Sequence, residues 1–218
     1  MAEPTRLWFI RHGEVEAPYV GTFVGSLDVA LSDVGRHQAA AAATFLEAAK
    51  VDAVLSSPRR RARDTAAPLA RHHGHGIEIK DVFAEMDFGE WEGLPWAEIE
   101  ARDPAFAATW QADPSCHACP AGESAGGFAE RVQVGLAELL EEFKGRSVAL
   151  FGHAGTNRAV LATLTQRPYM ESFVFAQDYG CVNAAAWDPA TGFGQVALVN
   201  LVPGPRSRDQ GDGGANNR

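Results

Sequence analysis

Two short apolar runs restrict what this chain can fold into. Leu7-Trp8-Phe9-Ile10 is long enough for a buried strand and too short for a buried helix, and it runs straight into Arg11-His12-Gly13-Glu14. Residues 147–152 form a second, fully buried strand, which delivers His153-Ala154-Gly155-Thr156 to the start of a helical segment. Covered on both faces, such strands belong in a parallel sheet, whose carboxyl ends share one edge where ligands bind. A lone histidine after a strand is usually a polar residue at a turn. The repetition is what gives the pattern weight, because it lets His12 and His153 converge at one edge.

Between these strands the chain alternates. Ser32 suits the N-cap of a helix over 33–50, whose alanine run at 39–43 allows close approach to a sheet. A strand is expected over 51–55. After it, Ser56-Ser57-Pro58 opens a helix with Pro58 near its first turn. That helix begins Arg59-Arg60-Arg61-Ala62-Arg63. A helix start with an inward arginine is an anion-binding end, which suits this chain better than a nucleic-acid patch, since the net charge is −9. A short edge strand at 76–80 precedes Glu85-Met86-Asp87-Phe88-Gly89-Glu90-Trp91-Glu92-Gly93. Any of its four carboxylates could face a cavity, and spacing alone does not choose among them. Residues 95–111 are expected as two helical pieces broken near Pro104, and Ser124 as the cap of a helix to about 144. Strands at 182–187 and 195–201 follow. Alternating strands and helices imply an α/β fold: a three-layer α/β/α sandwich with a mostly parallel central sheet. The domain is drawn over residues 1–202, with a small helical cap at about 83–125. The composition of 203–218 is that of a disordered tail.

The remaining features exclude more than they assign. No apolar run approaches the roughly 20 residues of a membrane span. The N-terminus lacks the pattern of a signal peptide, and three cysteines make no disulfide framework, so a cytoplasmic location is expected. Cys116-His117-Ala118-Cys119 lacks a second ligand pair, and His72, His73 and His75 lack a nearby carboxylate or cysteine, so no metal site is expected. Two histidines, Arg11, Arg61, a carboxylate loop and helix N-termini suit the holding of a tetrahedral phosphoryl group.

Taken in order, the motifs resemble those of the histidine phosphatase superfamily, the phosphoglycerate mutase-like group. The matching stretches are Arg11-His12-Gly13-Glu14, Ser57-Pro58-x-x-Arg61-Ala62-x-x-Thr65-Ala66, Glu85-x-x-Phe88-Gly89-x-Trp91-Glu92-Gly93, Pro120-x-Gly122-Glu123-Ser124 and Gly152-His153-Ala154-Gly155. The short cap is closest in pattern to the α-ribazole phosphatase and broad small-molecule phosphatase branch. The resemblance implies a phosphomonoesterase acting on a small phosphate ester, with no cofactor or metal, and the net charge of −9 speaks against a nucleic-acid or membrane partner. It makes His12 the nucleophile and Glu85 the proton donor and acceptor, with Arg11, Arg61 and His153 spreading the phosphoryl charge. Substrate contacts are implied at Arg11, Arg61, Gly25, Glu123 and Ala154. Pro18 and Val24 stand where the family often has polar residues, which bears on substrate identity. A mutase of the same fold and a non-catalytic phosphate-binding protein are the alternatives.

Overall fold

Alternation along the buried strands decides the layering. In the computed structural model, which describes residues 3–204, strand β1 (Thr5–Arg11) sends Leu7 and Phe9 to one face and Ile10 to the other. Strand β4 (Ser147–Gly152) does the same, with Val148 and Leu150 on the first face and Ala149 and Phe151 on the second. Helices α1 (Asp33–Leu46) and α2 (Arg60–His73) cover the second face. Ala42, Ala43, Ala66 and Ala70 pack there beside Leu46 and Leu69, so the alanine run does bring α1 close. The first face carries α5 (Ala125–Glu142) and α6 (Ala154–Leu164), through Phe128, Val132, Leu136, Val160 and Leu161.

With β2 (Ala53–Ser56), β3 (Ile77–Ile79), β5 (Val182–Asp188) and β6 (Phe193–Leu201), the sheet has six strands in the order β3-β2-β4-β1-β5-β6. The first four are mutually parallel, whereas β5 runs antiparallel to β1 and β6 antiparallel to β5. Register does the positioning. Arg11 lies opposite Gly152, so His12 and His153 leave the sheet side by side. Ser56 lies opposite Phe151, which brings Ser57 level with the same edge.

The cap consists of a 3-10 turn at Gly89–Trp91 and helices α3 (Trp96–Arg102) and α4 (Pro104–Ala112), broken at the expected proline. Trp91, Ile99 and Ala107 belong to the same core as α5 and α6, so the cap has no separate core. Ser124 caps α5 by accepting from the Gly127 N–H at 3.1 Å.

Some boundaries differ from expectation. Helix α1 stops at Leu46, and the chain turns through Glu47, whose N–H reaches back only three residues to Thr44. Strand β2 starts at Ala53, because Asp52 pairs at the sheet end: its N–H donates to the Ser147 carbonyl and its carboxylate accepts the Ser147 N–H. Helix α2 starts at Arg60, not Pro58. The disordered tail expected from 203 falls almost wholly on residues 205–218, outside the described residues. No described helix is long and apolar enough to cross a membrane.

Candidate active site

His12 is held at both backbone ends. Its N–H donates to the Gly152 carbonyl, and its carbonyl accepts from the Gly180 N–H, each at 3.0 Å. The imidazole Nδ1 lies 2.7 Å from the Gly13 carbonyl, which can only accept, so Nδ1 carries the hydrogen and Nε2 keeps its lone pair. Burial, then the positive charges of Arg61 and Arg11, hold the His12 pKa well below the usual histidine value. The ring is neutral at pH 7.

Arg11 is fixed by its neighbours from the β5 approach. One guanidinium nitrogen donates to the Gln177 carbonyl at 2.5 Å, and the guanidinium carbon sits 3.8 Å from the centre of the Tyr179 ring. That ring also packs against His12. Gln177 is itself pinned by Asn157 and Asn183, and Asn183 donates to the Phe9 carbonyl in β1.

Arg61 points inward from the first turn of α2 and is fully buried. Its two terminal nitrogens donate to three carbonyls, Leu27 at 2.7 Å and Val24 and Gly25 at 2.9 Å. Burial pulls its pKa down to about 10, still well above neutrality, so it stays a cation. Of the other arginines in the run, Arg60 pairs with Asp64 and Arg63 with Asp28, whereas Arg59 is half-buried with its Nε enclosed and unpartnered among the described residues.

His153 follows β4 and sits at the N-cap of α6, its ring centre 5.2 Å from that of His12. Its Nε2 lies 2.7 Å from Ser57 Oγ. Ser57 Oγ also accepts the Arg59 N–H at 3.3 Å, and its hydroxyl can pair with either tautomer of His153. Burial and the nearby cations also hold His153 well below the usual histidine pKa.

Glu85 comes from the start of the cap and is 9% exposed. One carboxylate oxygen accepts the Met86 N–H and the other the Gly155 N–H at the start of α6, both at 3.0 Å. A Cβ at position 155 would collide with this carboxylate, so the close approach requires glycine there. The other three carboxylates are placed elsewhere. Asp87 accepts the Gly89 N–H, Glu90 is exposed, and Glu92 accepts from the N–H groups of Gly25, Ser26, Leu27 and Phe88.

Arg11, His12, Glu85, Ala154 and Gly155 line a cavity of about 620 Å³. Arg11 Nε, Arg61 Nε and His153 Nδ1 are buried with no protein partner, an expensive arrangement unless an anion meets them, and of the three only Arg11 lines that cavity. With the N-terminus of α6, they form a cationic pocket around an unprotonated imidazole nitrogen.

Comparison with known proteins identifies the family. A family model described as the histidine phosphatase superfamily (branch 1) matches residues 7–200. The chain belongs to this superfamily. It is 33% identical over 206 residues to an acid phosphatase of Mycobacterium tuberculosis, covering 92% of this chain and 95% of that protein. Among solved structures it is similar to the α-ribazole phosphatase of Shigella flexneri, with a TM-score of 0.82, 29% identity and coverage of 93% and 100%. A mycobacterial glucosyl-3-phosphoglycerate phosphatase complexed with VO3 gives a TM-score of 0.79, 28% identity and coverage of 90% and 99%.

Two substrate contacts implied by the motifs are differently employed in this histidine phosphatase. Glu123 is held by Arg131 at 2.7 Å and accepts the Asp87 N–H, so both oxygens tie the cap to α5 and Glu123 does not line the cavity. Gly25 spends its N–H on Glu92 and its carbonyl on Arg61, and a Cβ there would strike the Met86 carbonyl. Its place is in the Arg61 cage. Ser57 serves His153 instead of capping α2, which has no side-chain cap. Tyr179, Gln177 and Arg158 are site residues that the sequence analysis missed. Of the cysteines, Cys116 is exposed while Cys119 and Cys181 are buried, and burial pushes the latter two thiols up to about 12 and about 11. Among the described residues, no group of three or more His, Cys, Asp or Glu side chains could hold a metal ion.

Proposed function

We propose that this histidine phosphatase hydrolyses small-molecule phosphomonoesters through a phosphohistidine on His12, without a metal ion. The observation that carries the reading is the state of His12: its Nδ1–H is spent on the Gly13 carbonyl, and two arginines oppose protonation of Nε2. In the first step Nε2 forms a bond to phosphorus, the ester P–O bond breaks, and Glu85 gives its proton to the departing alkoxide. In the second, water attacks phosphorus, the N–P bond breaks, and Glu85 takes the proton of that water. Arg11, Arg61, His153 and the first N–H groups of α6 meet the charge of the phosphoryl oxygens, so fixed cations supply what a metal would otherwise supply. Hydrolysis, not transfer to a second acceptor, is supported by the phosphatase names of the relatives. The three unpaired cysteines support a cytoplasmic location.

Rapid quenching with a phosphoryl-labelled ester tests the proposal. An alkali-stable, acid-labile label is expected on the protein, after exhaustive chelation as before it, and absent in His12→Ala. A label that persists in His12→Ala refutes the assignment.

A further inference from the structure

The phosphate end accounts for only part of the cavity. Its further lining includes six large apolar or aromatic side chains: Phe23, Trp96 and Trp110 on the cap side, and Tyr169, Met170 and Phe173 from a 3-10 turn after α6. The polar groups in that wall are few, and two of them are engaged within the protein, while Gln111 and the terminal guanidinium nitrogens of Arg158 are left without a protein partner among the described residues. Thr22 donates its hydroxyl to the Tyr19 carbonyl at 2.9 Å. Arg158 donates Nε to the Phe175 carbonyl at 3.2 Å and lays its guanidinium 5.0 Å from the Phe173 ring centre. A polyhydroxylated alcohol entering here would find only these few groups along a wall that is otherwise aromatic and aliphatic, so several of its hydroxyls would lose water without a replacement partner. An apolar alcohol would gain by leaving water.

The apolar surface also continues outward. Met170 is 37% exposed, Phe173 47% and Val174 77%, in one turn at the cavity wall. Large apolar side chains are seldom left together on a surface without a use. This strip is continuous with the wall that leads to His12.

From this geometry we infer that the substrates are phosphomonoesters of apolar alcohols, whose hydrocarbon portion lies on the Trp96–Trp110 wall and runs out over Met170 and Phe173. The inference rests on the phosphatase reading above and specifies the alcohol that reading leaves open. Hydrolysis then releases inorganic phosphate and a lipophilic alcohol. An alkyl or aryl chain is recognised by area and not by hydrogen bonds, so specificity should follow chain length smoothly.

The test is kcat/KM for the ethyl, butyl, hexyl and octyl monophosphates, kept below micelle-forming concentrations, against glycerol 3-phosphate and glucose 6-phosphate. All the alkyl leaving groups are primary alkoxides, so their intrinsic reactivity is closely matched. A rise of about twofold for each methylene is expected, roughly half the fourfold of complete burial, reaching about a hundredfold over the six methylenes from ethyl to octyl. The two hydroxylated esters should fall below butyl phosphate. Trp110→Ala should cut the octyl-to-ethyl ratio by about tenfold or more. Because Trp110 also packs on Trp91 and Trp96, Phe173→Ser provides a second measurement from a half-exposed side chain outside the cap, and it should lower the same ratio. A chain-length profile that is flat, or preference for the hydroxylated esters by an enzyme that still forms the His12 label, overturns the inference and leaves the phosphatase reading standing. Absence of both label and phosphate release with every ester would bring down the two together.

Discussion

Glu85 and Glu92 lie in one acidic stretch, and the structure gives them opposite employments. Glu92 accepts four backbone N–H groups, whereas Glu85 accepts two and presents its carboxylate to the cavity beside His12. If Glu85 protonates the leaving alkoxide, Glu85→Gln should slow alkyl phosphate turnover by about 10²–10⁴. A nitrophenyl ester, whose leaving group needs little protonation, should lose far less when phosphoenzyme formation limits the rate. Equal losses on both esters under that condition would remove Glu85 from the leaving-group role. Activity retained in Glu85→Gln but abolished in Asp87→Asn would transfer the role to Asp87, contrary to its bond with the Gly89 N–H. Gly13 shows how a residue's type can be legible and its reason not. It suggests flexibility at the strand end, yet its function is contact: a Cβ there would collide with the Gly35 backbone of α1.

At the scale of elements, the loop over residues 22–28 is a hinge between two parts of the site. Its N–H groups are collected by Glu92 from the cap, and its carbonyls hold Arg61. Glu92→Gln places an amide donor against backbone donors, so it should cost about 2 kcal/mol and lower the melting temperature by about 4–8 °C. It should also reduce kcat/KM by loosening the Arg61 cage, while the exposed Glu90→Gln should do neither; thermal unfolding and steady-state kinetics on both variants decide it. Parallel strands and their helices were legible in the sequence because burial on both faces leaves unbroken apolar runs, as in 147–152. Hence His12 and His153 could be placed together, and Arg61 with them. What was not legible depends on strand direction. Because β5 runs antiparallel to β1, its beginning, not its end, arrives at the catalytic edge, and Gln177 and Tyr179 come with it. A run such as Val182-Asn183-Ala184 carries no mark of its direction. The protein partners of Glu123 and Gly25 were not legible for a related reason: a motif places a residue near a site without saying which partners already occupy its polar atoms.

For the whole molecule, the cationic pocket has a consequence for stability. His12 and His153 are both held neutral in the fold by burial and by Arg61 and Arg11, so both folded pKa values lie below that of an unfolded histidine, near 6.5. Below pH 6.5 the unfolded chain therefore binds two protons that the native state refuses. Stability from this source is fully present above that pH and is lost as pH falls toward the folded values. The slope should reach about 1.4 kcal/mol per pH unit for each histidine. Carboxylates add their own losses only nearer pH 4, as with Asp52, whose pKa is lowered chiefly by the Ser147 N–H. Urea unfolding at pH 7.5, 6.0 and 5.0, with a common m value, should show the midpoint falling across this window. In His153→Asn one of the two protons is removed and the pH dependence should be close to half as steep. A midpoint that does not move between pH 7.5 and 5.0 would mean that the two imidazoles titrate alike in folded and unfolded chains, and the electrostatic basis for an unprotonated His12 nucleophile would fall with it.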